Sequence, residues 1–374
     1  MKTISSIFFA FFLTSLPAVE PQPEKLGMNP QRLAYIDNIV EEGLQRSRMP
    51  GCVVLVGRSG GVAFWKAYGY RQLKPSQVAM TPDTVFDLAS LTKPIATATS
   101  VMQLAETGRL QLSDPVSQYL PEFAAHGKEE ITIEQLLTHQ SGLIADNSLR
   151  DYQDGRREAF RRIDQLKPIV EPGSKFIYSD VGFIVLGRIV EKLSGESLHQ
   201  YTQRRIFQPL KMTETGFLPA ERLRGRAAVT QQREGRWMRG EVHDPRAYKL
   251  DGIAGHAGLF STAEDLAKYS RAMLRENAVL QPRTIERMTR PVRVSSGLRG
   301  LGWDKKSLYS SNRGDLFTEK AFGHGGFTGT ALWIDPGLDL FVVFLSNRVH
   351  PDGKGSVNSL AGRIGTIAAA AIRD

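Results

Sequence analysis

The chain of 374 residues contains one cysteine, Cys52, so it cannot form an internal disulfide. Because Cys52 lies within an apolar stretch at 51–56, we expect a small buried thiol in a strand rather than a reactive one. The histidines show no spacing typical of a zinc site, and no glycine-rich phosphate loop follows a predicted strand. The sequence therefore predicts neither a bound metal nor a cofactor.

Long apolar stretches are confined to the N-terminus. A basic start, Met1-Lys2, precedes an apolar stretch at 4–16, and small residues follow it, which is typical of a secretory signal. Such a stretch is too short to span a bilayer comfortably, and no later stretch qualifies. We therefore expect a signal peptide at 1–19, a short linker at 20–29 and an exported protein, periplasmic or secreted. An uncleaved N-terminal anchor is the alternative.

The charge is basic but evenly distributed. Lysine and arginine number 48 against 39 acidic residues, which gives a net charge of +9. No basic run is interleaved with aromatic residues, so we expect no nucleic-acid site. A basic surface would favour anionic wall polymers or membrane surfaces by long-range attraction. Nothing in the sequence implies a stable protein partner.

The order of predicted elements indicates one sheet interrupted by a helical insertion. Strands are predicted at 52–57 and 62–68, the pattern is helical for about two hundred residues after Ser90, and strands return after about Gly300. We therefore expect an α+β fold in which 30–90 and 300–374 form a sheet domain with flanking helices. Residues 91–299 would form an inserted, mostly helical domain.

A Gly-x-Ser-x-Gly pattern at 57–61 falls in the turn between the first two strands. A nucleophile elbow requires a turn from a strand into a helix. We therefore reject this serine as a nucleophile.

The most informative motif is Ser90-Leu91-Thr92-Lys93, at the predicted start of a helix. Residues three apart share a helix face, so the Lys93 ammonium can reach the Ser90 hydroxyl. A nearby base is what a serine hydroxyl needs to become a nucleophile. The alternative is a helix-capping serine followed by a solvated lysine.

Two further motifs support a catalytic interpretation of the Ser90–Lys93 motif. Tyr178-Ser179-Asp180 precedes a predicted helix, and His324-Gly325-Gly326 precedes a predicted strand. In this order and spacing the three motifs resemble the serine β-lactamases of class C type and their relatives, the D-alanyl-D-alanine carboxypeptidases, penicillin-binding proteins and esterases. The resemblance covers about residues 30 to 370 and implies the antiparallel sheet and the helical insertion of that family, with the active site between the sheet domain and the insertion.

The resemblance also implies roles for individual residues. Ser90 would attack a carbonyl carbon and become an acyl-enzyme, and Tyr178 beside Lys93 would have a lowered pKa and act as the general base. The oxyanion would accept hydrogen bonds from the backbone N–H groups of Ser90 and Phe327. His256, in a glycine-rich loop that borders the family's cleft, is a candidate substrate contact.

Two positions depart from the family pattern. Asp180 replaces the usual asparagine, and we expect it to pair with Lys93 and hold it charged, to cap the next helix, or to do both. His324 replaces the usual lysine, so a permanent cation for a substrate carboxylate is lost. Both changes argue against an efficient β-lactamase.

The remaining histidines are expected to be structural or exposed. His139 follows a short predicted helix, where a structural hydrogen bond is expected, and His126, His199 and His350 lie in polar surroundings typical of the surface.

The sequence thus predicts an exported serine hydrolase that acts through an acyl-enzyme. The expected substrate is a small molecule or peptide, either a peptidoglycan-derived D-alanyl-D-alanine peptide or a small amide or ester. One alternative is a carboxylesterase of the same fold. Another, of a different class, is a non-catalytic wall-binding or penicillin-binding protein.

Overall fold

The computed structural model describes residues 20–276 and 278–373. The predicted signal peptide at 1–19 lies outside the described residues. Within the described ranges, no helix combines the length and the apolar character that crossing a bilayer requires.

The described residues form fourteen strands and twelve α-helices. The strands of the described residues are β1 (Gly51–Arg58), β2 (Gly61–Gln72), β3 (Val78–Ala79), β4 (Phe86–Asp87), β5 (Gly216–Phe217), β6 (Val229–Arg233), β7 (Arg236–Arg239), β8 (Leu259–Ser261), β9 (Val292–Val294), β10 (Gly297–Arg299), β11 (Asp304–Ser307), β12 (Phe322–Gly326), β13 (Thr330–Asp335) and β14 (Leu340–Ser346). The helices are α1 (Pro30–Leu33), α2 (Tyr35–Gln45), α3 (Thr99–Glu106), α4 (Ile133–Leu137), α5 (Arg156–Asp164), α6 (Asp180–Ser194), α7 (Leu198–Thr202), α8 (Glu221–Arg224), α9 (Pro245–Lys249), α10 (Ala263–Arg271), α11 (Pro282–Thr289) and α12 (Asn358–Ala370).

One large sheet contains strands from both halves of the chain. Its nine strands run in the order β3-β2-β1-β14-β13-β12-β11-β10-β9. The N-terminal strand β1 pairs antiparallel with the last strand β14, with Cys52 opposite Ser346 and Gly57 opposite Phe341. This confirms the predicted α+β class. The rejected Gly-x-Ser-x-Gly pattern falls, as expected, at the turn between β1 and β2.

Both faces of the large sheet are covered. Val53 and Leu55 of β1 belong to the core shared with the helical region, whereas Cys52 and Val54 belong to a second core with α2 and α12. This alternation follows from the period of two in a strand, and burial on both faces explains the nearly continuous apolar sequence of β1. Burial also raises the pKa of the Cys52 thiol, as expected for an unreactive cysteine.

The region between 91 and 299 is less purely helical than the sequence predicts. Strands β8 and β5 of this region join β4, which precedes it, in a small sheet, β6 and β7 form a hairpin, and β9 and β10 extend the large sheet. The sheet portion therefore resumes at Val292 rather than at 300. Strands of two to five residues are too short to produce a detectable period of two.

Two other sequence-based expectations need correction. The predicted linker at 20–29 is packed against the sheet domain, because Met28 is fully buried and forms a bridge with Ile372. His350, expected on the surface, is buried, and its ring nitrogens bond the backbone of Leu73 and Thr230. His126 is exposed as expected, and His199 is half-buried.

The glycine-rich loop at 252–258 packs tightly against α6. A Cβ atom on Gly255 would lie 1.9 Å from the carbonyl oxygen of Phe183, and one on Gly187 would lie 3.1 Å from the Gly255 Cα. The loop backbone therefore approaches the helix more closely than any side chain permits. This contact fixes the position of the next residue, His256.

We expect Gly255→Ala to push the loop away from α6 and to lower the free energy of unfolding by about 1–3 kcal/mol, a typical cost of overpacking. Urea unfolding measures this loss. Gly225→Ala is the matched control, because its Cβ would be 3.9 Å from the nearest atom, and it should change stability by less than about 0.5 kcal/mol. Equal stability of the two variants would contradict the close approach.

Candidate active site

Ser90 lies in a tight turn that connects β4 to the helical region. Its neighbour Ala89 has a left-handed φ of 46°, and Asp87 stabilises the turn by accepting hydrogen bonds from the N–H groups of Ala89 (2.8 Å) and His243 (2.6 Å). A single 3₁₀ turn at Ala89–Leu91 is followed by a π-helical turn that begins at Lys93. The predicted helix start is thus correct in position, but regular α-helix begins only at Thr99.

The Lys93 side chain reaches back to Ser90, as the spacing predicts. Its Nζ donates to Ser90 Oγ (2.9 Å) and to the His256 carbonyl oxygen (3.2 Å), and it forms an ion pair with Asp180 (2.6 Å). Lys93 is fully buried, which is incompatible with a solvated lysine after a capping serine. Burial alone would lower the pKa of Lys93, but the nearby Asp180 and Tyr178 outweigh it and the net pKa is raised.

Asp180 is the first residue of α6 and not its cap. The cap is Ser179, whose Oγ accepts from the Gly182 N–H (3.1 Å) and whose own N–H donates to His139 Nδ1 (3.0 Å). The expectation that Asp180 caps the helix was therefore wrong by one residue. Its pairing with Lys93 and the structural hydrogen bond of His139 are both as expected.

Tyr178 is held between two other rings. Its ring stacks on His139 (4.4 Å between centroids) and on Tyr309 (5.1 Å), and Lys93 Nζ lies 4.8 Å from its centroid. Burial raises the pKa of Tyr178, and the opposing effect of Lys93 does not compensate for it. The expectation of a lowered pKa was wrong, because it counted the cation and not the desolvation.

His324 lies in β12 and is neutral. Its Nδ1–H donates to the Gly325 carbonyl oxygen (2.7 Å), and burial with the nearby cations Arg299 and Lys93 holds its pKa well below the usual value. Position 324 therefore carries no permanent positive charge, as expected from the replacement of the family's lysine by histidine. A Cβ on Gly326 would lie 2.4 Å from the Leu88 carbonyl oxygen, so this strand approaches the Ser90 turn too closely for a side chain.

One cavity of about 870 Å³ brings the predicted residues together. Lys93 lies buried beside Ser90, outside the cavity lining. The predicted site residues that line the cavity are Ser90, Tyr178, Asp180, His256, His324, Gly325, Gly326 and Phe327.

Comparison with known proteins agrees with this geometry. Residues 36–365 match the family model described as Beta-lactamase. The chain belongs to the β-lactamase family. Its relatives include proteins named as an amidase and as a putative carboxypeptidase, and family members are hydrolases.

Two relatives illustrate this range. The chain is 30% identical to a protein of Bacillus subtilis named "N-acetylmuramyl-L-alanine amidase", over 91% of this chain and 87% of the relative. It is 31% identical to a protein of Escherichia coli named "Putative D-alanyl-D-alanine carboxypeptidase", over 88% of this chain and 86% of the relative.

Solved structures have the same β-lactamase-type fold. The hydrolase EstCE1, described as having promiscuous acyltransferase activity, superposes with a TM-score of 0.73 at 24% identity, covering 92% of this chain and 99% of that chain. The octameric penicillin-binding protein homologue from Pyrococcus abyssi gives a TM-score of 0.70 at 25% identity, covering 88% of this chain and 76% of that chain.

The β-lactamase-type cavity also contains charged residues that sequence reasoning missed. Arg299 is fully buried with its Nη1 3.2 Å from Asp304. Arg348 donates to the Phe327 carbonyl oxygen and lies 4.7 Å from the Phe327 ring. No motif marks these arginines, because only the packing of β10 and of the chain after β14 brings them to the cleft.

A third side chain, Asp244, meets Asp180 and His256 beside Lys93. His256 Nε2 and Asp244 Oδ1 are 2.9 Å apart, and the ligand atoms of Asp180, Asp244 and His256 all lie within 4.8 Å of one another. Such a group offers donors that a metal ion accepts. The Lys93 ammonium, 2.6 Å from Asp180, already neutralises one of these carboxylates, which disfavours a metal ion here. That the protein binds no metal stays a prediction.

The buried histidines give stability a defined pH dependence. His139 and His324 have pKa values well below the usual range when folded, chiefly through burial, and return to about 6.5 when unfolded. Below about pH 6.5 the unfolded chain therefore binds more protons. As the pH is lowered, the free energy of unfolding should therefore decrease, by up to about 1.4 kcal/mol per pH unit for each histidine.

Urea unfolding of the parent protein and of His324→Gln between about pH 7.5 and 5.5 tests this linkage, and the variant should show the smaller slope. Asp87, whose pKa burial raises to about 6, titrates in the opposite sense but is common to both proteins. The control is His126→Gln, which replaces an exposed histidine, and the slope of His324→Gln should be smaller than the slope of this control. An unchanged slope in His324→Gln would show that His324 is not the buried neutral group described.

Proposed function

We propose that this protein is an exported serine hydrolase that cleaves an amide bond in peptidoglycan-derived peptides through an acyl-enzyme on Ser90. The observation that carries the proposal is the contact between Ser90 Oγ and Lys93 Nζ, 2.9 Å apart at the edge of a large cleft. A buried lysine bonded to a serine hydroxyl is costly for a purely binding protein, because a buried charge carries a desolvation penalty. Export rests on the N-terminal sequence.

The proposed reaction begins with attack on the carbonyl carbon. Ser90 Oγ forms the new C–O bond, the carbonyl π electrons move to the oxygen, and the hydroxyl proton passes to the group around Lys93. The tetrahedral intermediate collapses as the C–N bond breaks, and the same proton is returned to the leaving nitrogen. Water then repeats the sequence on the ester, so serine and the basic group are regenerated.

The proton acceptor requires explanation, because Lys93 is held as an ammonium and Tyr178 as a neutral phenol. Asp180, 2.6 Å from the Lys93 ammonium, is close enough to accept its proton. If the Lys93 proton moves to the Asp180 carboxylate, a neutral amine faces Ser90 Oγ without exchange with solvent. Tyr178 lines the cavity beside Ser90, and Lys93 Nζ lies 4.8 Å from its ring centroid, so the phenol is placed to relay the proton from Lys93 to the leaving nitrogen.

The charges of the cleft support a peptide substrate with a carboxylate. His324 is neutral, but Arg299 and Arg348 also line the cavity, and a guanidinium is the side chain that best matches a carboxylate. The names of the two relatives, "N-acetylmuramyl-L-alanine amidase" and "Putative D-alanyl-D-alanine carboxypeptidase", support cell-wall peptides as the proposed substrates. Both reactions cleave an amide.

Intact-protein mass after exposure to a fluorophosphonate probe tests the nucleophile. We expect one adduct on the parent protein, none on Ser90→Ala, and a loss of at least about 10⁴-fold in kcat in that variant. Ser113→Ala, at an exposed serine outside the cleft, should behave as the parent protein. Equal labelling of the parent protein and Ser90→Ala, or none of either, would overturn the assignment and favour a non-catalytic binding protein.

Product analysis separates the possible substrates. Release of D-alanine from a pentapeptide, or of the peptide from an N-acetylmuramyl peptide, would support the amidase proposal and distinguish its two forms. Turnover of short p-nitrophenyl esters without either amide reaction would support a carboxylesterase instead.

Asp180→Asn tests the internal proton transfer. In the parent protein we expect the labelling rate of Ser90 to be nearly constant between about pH 7 and 9, because the amine arises within the ion pair. In the variant the amine arises only by loss of a proton to solvent, so the rate should be at least about tenfold lower at pH 7 and rise with pH up to the Lys93 pKa. Asp146→Asn, which removes a carboxylate of the same cavity that pairs with Arg246 (3.3 Å), is the control. Parallel profiles for the parent protein and Asp180→Asn would contradict this mechanism.

A further inference from the structure

A second cavity of about 580 Å³ lies beside the cleft and shares none of its lining residues. It is bounded by the β6–β7 hairpin, the end of α9 and the chain around Leu218 and Phe260. We call it the basic pocket after its five cationic residues, Arg224, Arg233, Arg236, Arg239 and Lys249. The acidic residues of its lining are Glu241 and Asp251, so the pocket carries an excess of positive charge.

Most of this charge is not neutralised. Arg233 forms an ion pair with Glu241 (2.6 Å). Within residues 20–276 and 278–373, none of the other four cations of the basic pocket lies within ion-pair distance of a carboxylate. The side chains of Arg236 and Lys249 are exposed and make no hydrogen bond to the described protein, so their donors are available to a ligand. Clustered, unpaired cations repel one another, and an anion would relieve that repulsion.

One wall of the basic pocket is rigid and aromatic. The Arg233 guanidinium lies 3.9 Å from the centre of the Tyr248 ring and donates to the carbonyl oxygens of Val242 (2.9 Å) and His243 (3.0 Å). These contacts fix the guanidinium and the ring together. Tyr248 nevertheless remains 40% exposed, so part of its ring can contact a ligand.

Apolar surface completes the basic pocket. Leu218 lines it, is 50% exposed and adopts a left-handed φ of 52°. Met238, Val242 and Phe260 are buried beneath. An aromatic ring and an aliphatic side chain beside free cations suit the C–H face of a sugar ring that bears an anionic group. The volume lies within the range of small-ligand sites.

We propose that the basic pocket binds an anionic sugar, through its carboxylate or phosphate at Arg236 and Lys249 and its ring against Tyr248 and Leu218. The segment at 241–245 forms the wall between this pocket and the cleft, since Glu241 lines one cavity and Asp244 the other. A ligand in the basic pocket would therefore lie next to the cleft without contacting Ser90. Binding requires no turnover and does not depend on the proposed function.

Titration calorimetry of the Ser90→Ala protein at low ionic strength tests the proposal. The probes are N-acetylmuramic acid for the carboxylate, N-acetylglucosamine 6-phosphate for the phosphate, and uncharged N-acetylglucosamine. We expect at least one anionic sugar to bind at least about tenfold more tightly than the neutral one, and to weaken with added salt. The two anionic probes show which group the pocket prefers.

Reversal of charge locates the site. Arg236→Glu with Lys249→Glu should weaken binding of the anionic sugar at least about tenfold, whereas the matched double variant Arg157→Glu with Arg293→Glu, at exposed cations outside both cavities, should not. An unchanged unfolding midpoint confirms that each variant is folded. Absence of binding, equal binding of the neutral sugar, or equal weakening in both double variants would overturn the proposal.

Discussion

The buried ion pair of Lys93 and Asp180 is the interaction on which the rest of the site depends. Removing an ammonium from water costs several kcal/mol, which only close partners offset. Lys93 finds them in three separate segments: Ser90 in its own turn, Asp180 at the start of α6 and the carbonyl of His256 in the glycine-rich loop. Each segment must therefore be fixed for the cation to remain charged, which explains why the backbone around it is so closely packed.

The large sheet fixes the opposite side of the cleft. Two threonines after β12 accomplish this, because Thr328 donates to the Asp87 carbonyl oxygen (2.7 Å) and Thr330 to that of Leu88 (3.0 Å). The strand that carries His324 is thereby joined to the turn that carries Ser90. The cleft consequently lies where the sheet meets the helical region, and its two walls come from distant parts of the sequence.

Local features of this site could be predicted, and features set by tertiary packing could not. The reach of Lys93 to Ser90 follows from their separation of three residues, so the spacing alone was sufficient. The direction of the Tyr178 pKa shift was missed because it depends on burial, which the motif does not encode. Arg299 and Arg348 were missed for a similar reason, since only packing makes them neighbours of the cleft. The short strands β9 and β10 were missed because three residues carry too little periodicity.

The two departures from the family pattern act on the same proton. Position 324 is close to Lys93, since Lys93 contributes to the lowered pKa of His324. A lysine at position 324 would therefore place a second cation near Lys93 and favour the neutral amine form of Lys93. A neutral His324 removes that effect, and a carboxylate at Asp180 in place of an amide stabilises the ammonium further. Both changes strengthen the charged form of Lys93. A site with these two residues therefore needs a group inside the ion pair that accepts the proton of Lys93. Asp180 stabilises the ammonium form of Lys93, and its carboxylate is also the group placed to accept that proton.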